Sequence, residues 1–295
     1  MYTGGPPVDT GDDPPFGSLR VTRARRRTFD GMSPAAFDPE LRLFLADMVR
    51  PYGLPLRDDL LDAGAGQSYG EMAEALIQDT VTADEPVDLL VLAFGIHDIR
   101  LGRATAAYLS DVCPGDPMAF AVCDQGAAAA FTALRLIGEY ARSGMCRRAL
   151  LLVAEQSALH YEPAEPAVIP DRHSAVALLC ERSPVGGSLV VRQHADVSPA
   201  LAGALLADNV AALSSGRSDV TLVLGGGLAH FVDGTLADRV VLASPGQPFT
   251  GPWWTLAGGL ADWRADGRLV LLAEYDAALR YLSLSTVDVT ARVPA

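Results

Sequence analysis

The chain has 295 residues, 49% apolar and 20% charged, which is enough to bury a sizeable core and excludes a disordered protein. All 23 basic residues are arginine, so chemistry that needs an ε-amine is excluded: Schiff bases, pyridoxal-phosphate anchoring, the P-loop lysine and Ser-Lys dyads. The net charge of −13 argues against nucleic acid or an anionic membrane as partner.

Residues 1–18 are rich in Gly, Pro and Asp, lack the apolar segment of a secretion signal, and read as a disordered tail. Leu19–Thr28 reads as a strand, and Ala36–Val49 has helical apolar spacing (Phe37, Leu41, Phe44, Leu45, Met48). Ser68, with Glu71 three residues on, forms a capping-box pattern ahead of a helix through Met72–Gln78. Two continuous apolar runs of buried-strand length follow, Val87–Phe94 and Met118–Cys123. The second leads into Gly126–Ser143, an Ala-rich helix apolar on nearly all sides and stopped by Gly144. Ala149–Ala154 and Ser174–Cys180 are further strands. The pattern then repeats, with strands at Asp219–Leu224 and Arg239–Ala243, a helix at Trp254–Ala265, and strands at Arg268–Ala273 and Leu279–Thr290. Each half reads strand, strand, helix, strand, strand, which implies a duplicated α/β architecture with helices buried between two mixed sheets. The halves are 19–185 and 186–295, packed as one unit.

No stretch approaches the ~20 apolar residues of a membrane span, so no membrane contact and a cytoplasmic location are expected. Cys113, Cys123, Cys146 and Cys180 show no CxxC pairing and no histidine at ligand spacing, so reduced thiols, no zinc and no cofactor are expected.

The string from Ala119 to Ser157 runs from a strand through a small-residue helix to a Ser-Gly stop and a strand ending in Glu155-Gln156-Ser157. It resembles the nucleophile segment of the ketoacyl synthase III branch of the thiolase superfamily, and the closing RLVLLAEYDAALRYLSLS resembles that family's last hairpin. The resemblance covers about Leu60–Thr290. It implies a five-layered fold and acyl-thioester chemistry, with a cysteine nucleophile at a helix N-terminus and a histidine and an asparagine from the second half at the thioester oxygen.

The positions that should carry that chemistry depart from the family pattern together. Counting from Phe120 and back from Ser143-Gly144 places the nucleophile at Gly126 or its neighbour Ala127, so Cys123 reads as a core thiol at a strand end. Gly225-Gly226-Gly227 stand where the histidine motif belongs, and Gly251, Pro252, Trp253 and Trp254 where the asparagine belongs, with the two indoles filling the substrate space. Asp171-Arg172-His173-Ser174 replaces the usual Gly-Asp-Gly-Ala turn. This combination resembles the catalytically empty small subunit of heterodimeric alkylquinolone-type synthases. It implies an active Cys-His homologue as partner, or a homodimer, with pairing at the MAFAVC edge strand and with acyl carrier protein or acyl-CoA received mainly by the partner. The alternative is an independent acyltransferase or condensing enzyme using Cys123 with His230 or His173 as base, including a Cys123/His230/Asp233 triad.

Other motifs are weaker. Gly66-Gln67-Ser68-Tyr69-Gly70 matches the GxSxG elbow of serine hydrolases, but no buried strand precedes it. The three glycines lack the rest of a nucleotide fingerprint and read as a tight turn. Arg23, Arg25, Arg26 and Arg27 form a basic run on an acidic chain, either a solvated strand end or a docking patch for an acidic carrier or partner.

Overall fold

The computed structural model describes residues 19–100, 102–164, 167–182, 189–214, 216–231 and 236–289; the expected tail and the boundary between halves lie outside these. Along the chain come β1 (Leu19–Phe29), α1 (Pro39–Val49), α2 (Asp58–Asp62), α3 (Tyr69–Thr80), β2 (Leu89–Phe94), α4 (Thr105–Val112), β3 (Met118–Val122), α5 (Ala129–Arg142), β4 (Arg148–Glu155) and β5 (His173–Arg182). Then follow β6 (Val191–His194), α6 (Pro199–Ser214), β7 (Val220–Leu224), β8 (Arg239–Leu242), α7 (Gly251–Ala265), β9 (Leu269–Asp276) and β10 (Tyr281–Asp288).

The strands form two sheets of five, ordered β1-β5-β4-β2-β3 and β6-β10-β9-β7-β8. Adding five to each strand number of the first order gives the second, and the pairings match as well. β4, β2 and β3 run parallel and β1, β5 and β4 antiparallel, as do their counterparts. The duplication is therefore visible in hydrogen bonding. It is fuller than the sequence pattern suggests, because each half also contains an opening strand and an outer helix: β1 with α3, and β6 with α6.

Continuous apolar strands make three cores. Alternate residues of a strand face opposite sides of its sheet. Ala149, Leu151 and Val153 of β4 point into the core between the sheets, and Leu150, Leu152 and Ala154 point outward under α3 and α4. In β9, Val270 and Leu272 face the central core, and Leu269, Leu271 and Ala273 face α6. α5 and α7 fill the middle layer, where the rings of Phe131 and Trp253 meet at 4.9 Å. The five layers are α3 with α4, sheet, α5 with α7, sheet, and α6.

Several expectations need correction. α5 is buried on all sides over Ala129–Leu134, as expected, but one-sided beyond: Ile137, Gly138 and Ala141 are buried, while Arg135, Glu139 and Arg142 lie toward its more open side. α1 starts at Pro39 behind its N-cap Asp38, and Phe37 and Phe44 are largely exposed where core positions were expected. The capping box at Ser68 does not form. Glu71 instead accepts from Ser33 Oγ at 2.5 Å, and the first helical N–H, that of Tyr69, donates to Asp98 at 3.1 Å. A buried carboxylate from a distant loop supplies the cap that the local serine was expected to supply. Helix α7 starts at Gly251 rather than Trp254, with Pro252 in its first turn, where a missing N–H costs nothing.

Candidate functional site

The expected nucleophile position lies where β3 hands over to the buried helix. A 3-10 turn, Gly126–Ala128, precedes α5. Asp124 and Gly126 both take positive φ (59° and 50°), so the chain turns sharply into the helix. The N–H of Ala127 donates to Asp276 Oδ2 at 3.0 Å, and Asp276 Oδ1 accepts from Leu279 N at 3.0 Å. This carboxylate, from the end of β9, occupies the electropositive helix start that would otherwise favour a thiolate or oxyanion. A Cβ on Gly126 would overlap the Asp276 carboxylate, so a cysteine there would have to displace it, in a backbone conformation that side chains rarely adopt.

The turn after β7 is filled in a related way. Glu274 Oε1 accepts from Gly227 N at 3.0 Å and from Tyr275 N at 2.9 Å, whereas the buried Oε2 has no partner. Burial pushes this carboxyl up to about 8, so it is largely protonated at neutral pH. Its side chain sits where a Cβ of residue 225 would be, and the carbonyl of Tyr275 where a Cβ of residue 227 would be. Glycine at 225 and 227 is thus a packing requirement of Glu274 and of the backbone behind it.

The third position, at the start of α7, is closed by Glu155 from the end of β4. Its Oε2 accepts from Phe249 N at 2.9 Å and Thr250 N at 3.0 Å; its Oε1 accepts from Thr250 Oγ1 at 2.5 Å and Ser174 Oγ at 2.8 Å. Burial raises this carboxyl above its ordinary value, and the four hydrogen bonds oppose that shift. The ring of Phe249 lies against Gly95, where a Cβ would overlap it. Between the helix starts, the gap bounded by Ala93, Gly126, Ala130, Val153 and Phe249 has no room for a water molecule. The space was expected to be filled by indoles. Phe249 lines it instead, and Trp253 packs into the central core.

The residues of the alternative reading are not brought together. Cys123 is half-buried just past β3. Its thiol is pushed up by burial and by neighbouring Asp124, toward which Sγ points at 3.5 Å, so it is not the fully buried core thiol expected and not an activated thiolate either. Asp233 lies outside the described residues, and His230 is exposed on the 3-10 turn Gly226–Phe231. His173 Nδ1 accepts from Ser157 N at 3.2 Å, which leaves the ring proton on Nε2, 3.5 Å from Ser157 Oγ. In that tautomer His173 faces Ser157 as a donor and cannot take its proton. Burial lowers its basicity further. Ser68 has no solvent exposure, and its hydroxyl has no hydrogen-bond partner. A hydrolase nucleophile needs both an open face and a base, and neither is present.

The arginine run lies on β1, an edge strand. Arg23 pairs with Glu85 and donates to Thr80 O at 2.8 Å. Arg26 stacks over Trp254 (5.0 Å) and donates to its carbonyl at 2.9 Å. Arg27 lies over Phe29, and Arg25 is exposed. Two of the four thus fasten β1 to its neighbours, and the exposed charges guard a free edge. Among the described residues no helix is long and apolar enough to cross a membrane, and no group of three His, Cys, Asp or Glu side chains is placed to hold a metal ion.

No protein-family model matches the chain, and no curated protein matches it in sequence. Solved structures do. The 3-oxoacyl-(acyl carrier protein) synthase III of Pseudomonas aeruginosa PAO1 superposes with a TM-score of 0.62 over 94% of this chain and all of the other, at 17% identity. The tetronic acid condensing enzyme AbyA1 gives 0.62 over 91% and 99% of the two chains at 18% identity. The acyltransferase ChlB3 gives 0.63 over 92% and 98% at 16% identity. The chain therefore has the thiolase-like fold of ketoacyl synthase III structures over nearly its whole length.

The sequence alone did not point to Asp276, Glu274, Glu155 or Phe249 as the groups that fill these positions. The available signal was an acidic residue ending each of two otherwise apolar runs, ALLLVAE and RLVLLAEYD.

Proposed function

We propose that this chain is a catalytically degenerate, ketoacyl synthase III-like subunit that supports an active Cys-His homologue in polyketide, fatty-acyl or quinolone-type biosynthesis. The observation that carries this reading is the start of α5. There the donor that would serve a nucleophile is taken by Asp276, residue 126 is a glycine whose Cβ position that carboxylate fills, and the adjoining gap excludes water. Covalent acyl transfer needs a nucleophile, an oxyanion site and room for the acyl group, and all three are stopped up together. The edge of β3 supports the pairing half of the proposal. It is unpaired on its outer side, Met118 is 44% exposed, and Phe120 and Ala119 are only half-covered. The acidic surface (net charge −13) suits a subunit whose partner receives an acidic carrier.

The test is intact-mass spectrometry of the purified chain after incubation with octanoyl-CoA, repeated with Cys123→Ala. No adduct on either protein is the expected result. A single acyl adduct on the wild type that disappears in Cys123→Ala would overturn the proposal in favour of a free-standing transferase. Co-purification with a tagged ketoacyl synthase III-like homologue encoded beside it tests the pairing.

A further inference from the structure

The space between α1 and the loop after β2 is underfilled. The side chains buried there are Ala35, Ala36 and Ile99, a small core cluster separate from the three large ones. Two alanines and an isoleucine do not fill the gap that α1 spans, and a groove of about 550 Å3 remains, within the range of small-molecule sites. Its apolar surface comes from Ala35, Leu41, Phe44 and Ile99. Arg100 and Arg103 line it from the loop, and Asp38 and Glu40 from the start of α1. It shares no lining residue with the gap at Gly126.

These charges are not equivalent. Asp38 is the N-cap of α1, accepting from Glu40 N at 3.0 Å, and Glu40 lies in the first turn. Both stand where the helix dipole compensates a negative charge. Nearby arginines are also matched: Arg42 with Asp58 and Asp62, Arg50 with Asp47, Arg57 with Asp59. Arg100 and Arg103 have no carboxylate partner among the described residues, and Arg103 lies over the Tyr108 ring. The groove therefore combines an apolar surface with two guanidiniums outside any ion pair among the described residues, Arg103 resting on Tyr108, whose hydroxyl donates to Glu74, while the acids at its other border oppose a multiply charged ligand.

We infer that this groove binds one monoanionic amphiphile of the class of a medium-chain aliphatic carboxylate. Its chain lies on Leu41, Phe44 and Ile99, and its head group on Arg100 and Arg103, where a planar guanidinium matches a carboxylate in geometry and charge. The site is independent of the stopped-up position at α5, and its occupancy requires no catalysis.

Calorimetric titration of the full chain with sodium decanoate and with decyltrimethylammonium, both below their micelle concentrations, tests the inference. Decanoate is expected to saturate at one per chain and the cationic amphiphile to give no saturable signal. Arg100→Gln/Arg103→Gln, a change at partly exposed positions, is expected to weaken decanoate at least tenfold with an unchanged melting temperature. Ala35→Leu, which puts side chain into the groove, is expected to weaken it comparably. If Ala35→Leu does not fold, the arginine pair decides alone. Equal binding of the two head groups, unchanged binding by the arginine variant, or no saturable decanoate binding by the wild type would each overturn it.

Discussion

The starts of α5 and α7 occupy matching places in the two halves, and each is capped by a carboxylate from the other half, yet the two ends are built differently. Glu155 is fully buried and accepts four hydrogen bonds, two from backbone N–H groups and two from hydroxyls. Asp276 is only half-buried and holds one N–H at the start of α5 and one in its own turn. The first is a sealed joint between the sheets. The second is a lighter, half-exposed plug. A duplicated fold supplies two electropositive helix starts, and this chain neutralises both internally.

That contrast can be broken by measurement. Glu155→Ala should have the largest effect, about 3 kcal/mol or more in urea unfolding, because it strands several buried donors at once. Asp276→Ala should cost about 1 kcal/mol, the usual worth of a helix cap. Equal losses from the two would show that the joints are alike and the comparison mistaken.

Glu274→Gln tests the third carboxylate through pH. Its folded-state value of about 8 lies above the ordinary 4.5, so between those values the folded chain holds a proton that the unfolded chain has released. Its contribution is complete below about pH 4.5 and is lost as pH rises toward 8. The melting temperature of Glu274→Gln, measured against wild type, should therefore gain steadily from pH 5 to pH 8; a constant difference would refute a buried protonated acid at this turn. The smallest effect expected is on reactivity. Alkylation of Cys123 by iodoacetamide at pH 7 should be slower than that of free cysteine, and Asp124→Asn should speed it by removing a neighbouring negative charge.

Strands such as Val87–Phe94 and Ala149–Ala154 could be located from sequence to within about two residues, because a strand buried on both faces needs a continuous apolar run. α6 was missed although PALAGALLADNVAALS is rich in good helix formers, since its polar residues mark no clear face. β6, four residues long in VRQH, carries no apolar run at all. The capping box at Ser68 failed for a different reason. A local motif states which hydrogen bond is available, and a buried Asp98, 29 residues away, was the better acceptor once folding placed it there.

The site divides in the same way. Sequence counting singled out Gly126 as the expected nucleophile position, and composition removed amine chemistry outright. What fills those expected positions was decided only by tertiary structure, because Asp276, Glu274 and Glu155 reach them from strand ends 47 to 149 residues away. The sequence by itself determined the alternation of buried strands and helices, which depends on side-chain periodicity. The folded chain decided which buried helix start meets which carboxylate, since that depends on where distant strands end in space.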